Sequence, residues 1–258
     1  MPASPVPVLF SGPSLVQLAR QYGASIIALL DETSGTSIKD YSGNNNTITA
    51  PSYGISYGNR SVARTVARGI AYLAGGGGPI YGPTLAAGSF TAIQFMNMSS
   101  SVSNTYNYPQ AIACGSNVAY GTNQGFEVQI DTTSTAAPWN MYYTIGYSAT
   151  AQASTLWTQI AASAVFPANK NCVIVATYNA SNLAMSLYLR KAGDPNVAVV
   201  ASGTAGGAMT AGTFAITFGD GFMDPNTWAP LTNSTGPGLY FQKALTQQQI
   251  NSLTAFVQ

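Results

Sequence analysis

The chain has 258 residues, 46% apolar, 11% aromatic and only 7% charged, with a formal net charge of +1. A globular domain usually carries about 25% charged residues, so Ser, Thr, Asn, Gln and Gly must cover this surface. Arg60, Arg64 and Arg68 are too few for a phosphate-binding face, and the absence of histidine removes Ser-His-Asp, Cys-His and Cys/His zinc chemistry together.

Residues 1–12, MPASPVPVLFSG, read as an extended arm, because Pro fixes φ and lacks a donor and so suits lying across a neighbour. No cationic stretch precedes an apolar run, so a standard signal peptide is not expected. The longest apolar run, IIALL at 26–30, is too short to span a membrane. Residues 13–23, PSLVQLARQYG, predict a short helix that begins at Pro13 and Ser14, turns Leu15, Leu18 and Ala19 to one side and stops at Gly23.

The next stretch, LLDETSGTSIKDYSGNNN at 29–46, holds three of the eight carboxylates. As an EF-hand loop, Asp31-x-Thr33-x-Gly35 fails at the third ligand, and Ser42 stands where the glutamate belongs. Asp31, Asp40, Ser42 and the Asn run read instead as caps on their own turns.

Strand patterns follow. In GFEVQID (125–131), Phe126, Val128 and Ile130 alternate with Glu127, Gln129 and Asp131, the pattern of a half-buried strand. LAMSLYLRK (183–191) points Leu183, Met185, Leu187 and Leu189 inward, and TFAITFGD (213–220) does the same with Phe214, Ile216 and Phe218. CVIVATY (172–178) is apolar on both faces and reads as a central strand, and WNMYYTIGY (139–147) is aromatic and strand-like. Turn clusters rich in Gly, Asn and Pro separate these runs, which predicts a β-sandwich. At the C-terminus, Thr246 and Gln249 form a capping box, Leu245 and Ile250 the staple around it, and Ile250, Leu253 and Val257 an apolar stripe. No linker divides residues 13–258, which read as one domain. Cys114 and Cys172 sit among small apolar residues and read as buried free thiols, with pairing the alternative.

Leu30-Asp31-Glu32-Thr33-Ser34-Gly35-Thr36 and Asp40-Tyr41-Ser42-Gly43-Asn44-Asn45-Asn46 resemble the opening loop of laminin-G-like, concanavalin A-like jelly-roll domains. Leu239 to Thr246 followed by Ile250 resembles their closing strand and helix. VIVATYN (173–179) and LAMSLYLRKAG (183–193) stand in the places of two central strands, without the Trp, His and Asp usual there. The resemblance implies an all-β jelly-roll β-sandwich with short N- and C-terminal helices. It also implies a range of roles, since the fold hosts lectins, glycosidases and structural modules.

Glycosidases need two carboxyl groups about 5–9.5 Å apart. Glu127 and Asp131 share a strand face but stand about 13 Å apart, so an enzyme is not expected. Trp139, Tyr142, Tyr143, Trp157 and Trp228 are the candidate rings for glycan binding, with core packing or an interface as the alternative. Asp220 and Asp224, in GDGFMDPN, are the candidate Ca2+ ligands, with turn formation as the alternative. The low-charge surface offers little repulsion between copies, and the opening is similar to laminin-G-like domains of bacteriophage structural proteins. The expected role is a virion head-decoration or cement subunit. It would be made in the host cytoplasm and displayed on the particle, partnered by itself and by the major capsid protein. The alternative is a carbohydrate-binding adhesion module that engages host-surface glycans; neither nucleic acid nor membrane is an expected partner.

Overall fold

The computed structural model describes residues 13–32, 35–49, 73–74, 80–98, 110–114, 124–133, 136–148, 156–212, 215–218 and 233–257. The 1–12 arm, Phe214, Trp228, Asp220 and Asp224 lie outside them.

Fifteen strands run through the described residues. In chain order they are β1 (Ile26–Ala28), β2 (Ser37–Ile38), β3 (Ile48–Thr49), β4 (Leu73–Ala74) and β5 (Ile80–Thr84). Next come β6 (Phe90–Met98), β7 (Gln110–Cys114), β8 (Gln124–Asp131), β9 (Trp139–Tyr147) and β10 (Trp157–Phe166). The last five are β11 (Cys172–Asn179), β12 (Ala184–Lys191), β13 (Ala198–Thr204), β14 (Ala215–Phe218) and β15 (Asn233–Phe241). All pair antiparallel, in two sheets. One runs β1-β15-β6-β11-β12-β13, with β4 also on β15; the other runs β10-β9-β8-β7-β14-β5-β3-β2.

The inward positions build one core between the sheets. Phe126, Val128 and Ile130 meet Ile174, Met185, Leu187 and Leu189 there, with Ile216 and Phe218. Phe90 stacks on Phe126 at 4.1 Å between centroids. On the second sheet's outer face Glu127, Thr144 and Thr217 are buried too, while Trp157 and Gln159 at its β10 edge are exposed. The first sheet is also covered on its other face, by helices. Val173 and Val175 of the central β11, with Ile93, Phe95, Leu239 and Phe241, form a second core beneath two helices. These are α1 (Leu15–Gln21) and α2 (Gln247–Thr254). Burial on both faces explains why 172–178 shows no alternation.

Both helices start on capping boxes. Ser14 Oγ accepts from Gln17 N at 3.2 Å, and Gln17 Oε1 accepts from Ser14 N at 2.7 Å. Thr246 and Gln249 make the same reciprocal pair. Leu183, with φ of 58°, ends the turn before β12 and packs half-buried against the core that Met185, Leu187 and Leu189 enter. The fold is a jelly-roll β-sandwich with short terminal helices.

Candidate functional site

The second sheet has an outer face that neither helix covers, and strand parity decides what stands on it. On β9, Trp139, Met141, Tyr143 and Ile145 enter the core between the sheets, so Asn140, Tyr142 and Thr144 point outward. On β10, Ile160 packs against that core, so Trp157, Gln159 and Ala161 point outward. Glu127, Gln129 and Asp131 do so on β8.

Register places these side chains side by side. Gln159 faces Thr144, which faces Glu127; Tyr142 faces Gln129; Asn140 faces Asp131. Gln159 Nε2 donates to Thr144 Oγ1 at 3.1 Å. Gln110 Nε2 donates to Glu127 Oε2 at 2.8 Å in a buried contact. The Tyr142 hydroxyl donates to Asp131 Oδ2 at 3.2 Å. Thr133 gives Asp131 Oδ1 both its N–H, at 3.0 Å, and its hydroxyl, at 2.6 Å. Burial pushes the Asp131 carboxyl up, but the bonds from Thr133, Tyr142 and Asn140 outweigh it and hold it below the usual range. Asp131 is therefore a fixed anion that orients Tyr142.

Trp157 stands at the rim, 39% exposed. Its cross-strand neighbour is Gly146, followed by Gly125 on β8, so neither position has a side chain to cover the indole. Gly125 is required there: its φ is 71°, and a Cβ would collide with the Cys114 carbonyl. From the inner side, the Tyr147 hydroxyl donates to the Trp157 carbonyl at 3.2 Å. The result is a shelf with an aromatic plate at one end and amides and a phenol along it.

Two of the expected rings are not on this shelf. Trp139 and Tyr143 are 1% and 0% exposed, and the Tyr143 hydroxyl donates to the Thr177 carbonyl at 3.0 Å. Neither can stack on a ligand. Tyr142 and Trp157 do lie on the outer face, joined by Gln159, Gln129 and Asn140, which the sequence reading passed over. The signal was present: alternation in WNMYYTIGY separates Trp139, Met141 and Tyr143 from Asn140 and Tyr142.

The opening loop is held from within. Asp40 accepts from Ile27 N, Ser42 N, Ser42 Oγ, Asn46 N and Asn46 Nδ2, at 2.7–3.1 Å. Donors surround both oxygens, so these residues do not fit a calcium ion, which needs acceptors pointing at it. Among the described residues no three His, Cys, Asp or Glu side chains gather as metal ligands.

Comparison with protein-family models and with curated proteins gives no match. Among solved structures, the chain is similar to the binding domain of botulinum neurotoxin serotype D/C (TM-score 0.57, 15% identity, covering 93% of this chain and 53% of that one). It is also similar to a botulinum neurotoxin type C structure whose subject is cell entry through two ganglioside molecules (TM-score 0.56, 16% identity, 91% and 51%). A third is Trypanosoma rangeli sialidase in complex with sialic acid (TM-score 0.55, 11% identity, 90% and 33%). The likeness is one of fold. The chain spans about half of each toxin structure and a third of the sialidase.

Proposed function

We propose that this chain is a non-enzymatic carbohydrate-binding module whose ligand lies on the outer face of the second sheet, against Trp157. The carrying observation is the exposed indole in line with Gln159, Tyr142, Asn140 and Gln129. An apolar plate beside a few placed amides and hydroxyls suits a sugar ring, whose C–H face is apolar and whose edge is polar. The similarity of fold to the toxin binding domains supports a binding role. The positions of the carboxylates support binding over hydrolysis. Glu127 and Asp131 are four residues apart on one strand, about 13 Å, and each is engaged by its own neighbours.

The charge of the shelf selects among sugars. Strands β7 to β10 carry Glu127 and Asp131 and no Lys or Arg. An anionic sugar would meet no counter-charge from them, so the ligand class is a neutral oligosaccharide. The phage-like opening loop and the low-charge surface support displaying this module on a virion, as a decoration or cement subunit anchored to the major capsid protein and made in the host cytoplasm.

An array of neutral and sialylated glycans tests the reading, followed by titration with Trp fluorescence. Binding of neutral glycans is expected, with Trp157→Ala weakening it about tenfold, the equivalent of about 1.4 kcal/mol of lost stacking. Tyr142→Phe, which keeps the ring and loses its bond to Asp131, is expected to weaken it less. Binding that survives Trp157→Ala unchanged removes the shelf from the account, and an array with no bound glycan removes the function.

A further inference from the structure

The four sheet edges are treated differently. β1 has three residues and is met by the Ala28–Asp40 bridge. β2 has two residues and runs into Lys39. β13 has seven, with its register against β12 broken between Leu187 and Tyr188. β10 has ten residues and pairs with β9 without interruption from Trp157 to Ala162. Among the described residues no strand lies on its other side. From Leu156 to Phe166 it contains no charged residue and no Pro. Long, bare edges of this kind are what proteins usually guard with Lys, Pro or extreme shortness.

Hydrogen-bond parity gives the unguarded groups. The Leu156 carbonyl accepts from Tyr147 N at 2.9 Å, so Thr158, Ile160 and Ala162 bond inward to β9. The N–H and C=O groups of Trp157, Gln159 and Ala161 then face the open edge. Of these, the Trp157 carbonyl has one lone pair taken by the Tyr147 hydroxyl.

We propose that β10 pairs antiparallel with β10 of a second copy, about a two-fold axis at Gln159. The arithmetic of the register is self-complementary: Gln159 faces the partner's Gln159, and Trp157 faces the partner's Ala161. Three facing pairs supply about six backbone hydrogen bonds. On the outer face the largest exposed side chain of the strand lies against the smallest, so each indole covers a partner alanine. Two glutamines meet at the axis, where their amides bond each other. No like charges meet anywhere along the seam.

An axis normal to the sheet keeps both outer faces on one side. The two eight-stranded sheets become continuous, with two shelves facing the same way. If the shelf binds glycan, a surface bearing many copies of that glycan would be held through both shelves at once.

The test is sedimentation equilibrium of the full chain and of Ala161→Pro and Ala161→Asp across a wide concentration range. Ala161 N–H faces outward, so Pro there costs the single copy no ladder bond, while it removes a donor from the seam and crowds the partner. The wild-type chain is expected at twice the single-chain mass and both variants at the single mass, with unchanged far-ultraviolet circular dichroism. Should Ala161→Pro lose its fold, Ala161→Asp decides alone, by placing a carboxylate against the partner indole. A wild-type chain at single mass overturns the proposal, and so does any assembly that the folded variants leave intact. Ala161 stands beside Tyr142 of the shelf, so the shelf is read separately, by glycan titration of the wild-type chain. Loss of glycan binding there removes the shelf and leaves the seam standing, and single mass removes the seam and leaves the shelf.

Discussion

Asp40 shows how one side chain organises a loop. Burial pushes its carboxyl up, but the bonds from Ser42, Asn46 and Ile27 win and hold it below the model-peptide value of 3.8. The folded state therefore binds the proton less well than the unfolded chain does. Asp40 adds stability above about pH 3.8 and loses it as the pH falls through the lower folded value. Asp40→Asn turns one acceptor into a donor that faces the Asn46 amide and N–H, and for a partly exposed group this should cost about 2 kcal/mol at pH 7. Urea midpoints from pH 2 to 6 check it: wild type should fall more steeply than Asp40→Asn below pH 4. Parallel curves would mean that the acid sensitivity lies elsewhere. The loop's part in the fold was legible because its Asp and Asn partners lie within six residues. Its bond to Ile27 N, which ties it to β1, was not.

At the scale of elements, α2 combines what a sequence shows with what it hides. Its capping box is local chemistry, and Thr246, Gln249, Leu245 and Ile250 stand where the pattern puts them. Its far end depends on Arg190, which has no local signature. The buried guanidinium donates to the carbonyls of Asp194, Pro195 and Asn251 at 2.9–3.2 Å, and to Thr254 Oγ1 at 3.3 Å. It thus ties the β12–β13 turn to the last turn of a helix about sixty residues later. A planar fork reaches these four oxygens, and a single ammonium does not. Arg190→Lys should lower stability by about 2 kcal/mol, and hydrogen exchange should speed up in the amides of α2 before those of β11. Full protection of α2 in that variant would mean that the helix is held by its apolar face alone. Parity on β9 was half legible: alternation puts Tyr142 and Tyr143 on opposite faces, and the registers of the two neighbouring strands show which face is core.

At the scale of the molecule, the two thiols report on whether the sandwich opens as one body. Cys114 lies on β7 in one sheet and Cys172 on β11 in the other; both are buried thiols outside any disulfide. They belong to the core shared by both sheets. Burial pushes Cys114 up to about 11. It pushes Cys172 up to about 12, though Lys191 and Lys170 pull the other way. At pH 7 roughly one molecule in ten thousand, or fewer, would carry the thiolate even where reagent could reach it. Native protein should therefore resist iodoacetamide at both positions. The sheets are joined through one interior and not through a hinge, so loss of either face exposes the other's apolar side chains to water. Cooperative loss of that core should bring both thiols to reaction at the same urea concentration. Labelling followed by mass spectrometry of the two peptides checks this. Earlier labelling of Cys172 would show that the helix-covered sheet opens on its own, and that the second core beneath α1 and α2 is the weaker of the two. Earlier labelling of Cys114 would place the weakness in the sheet that carries the shelf, whose outer face no helix protects. Coincident labelling would mean that shelf and helices stand on a single cooperative unit, so a substitution anywhere in the shared core would reach the Trp157 site through stability before it reached it through shape.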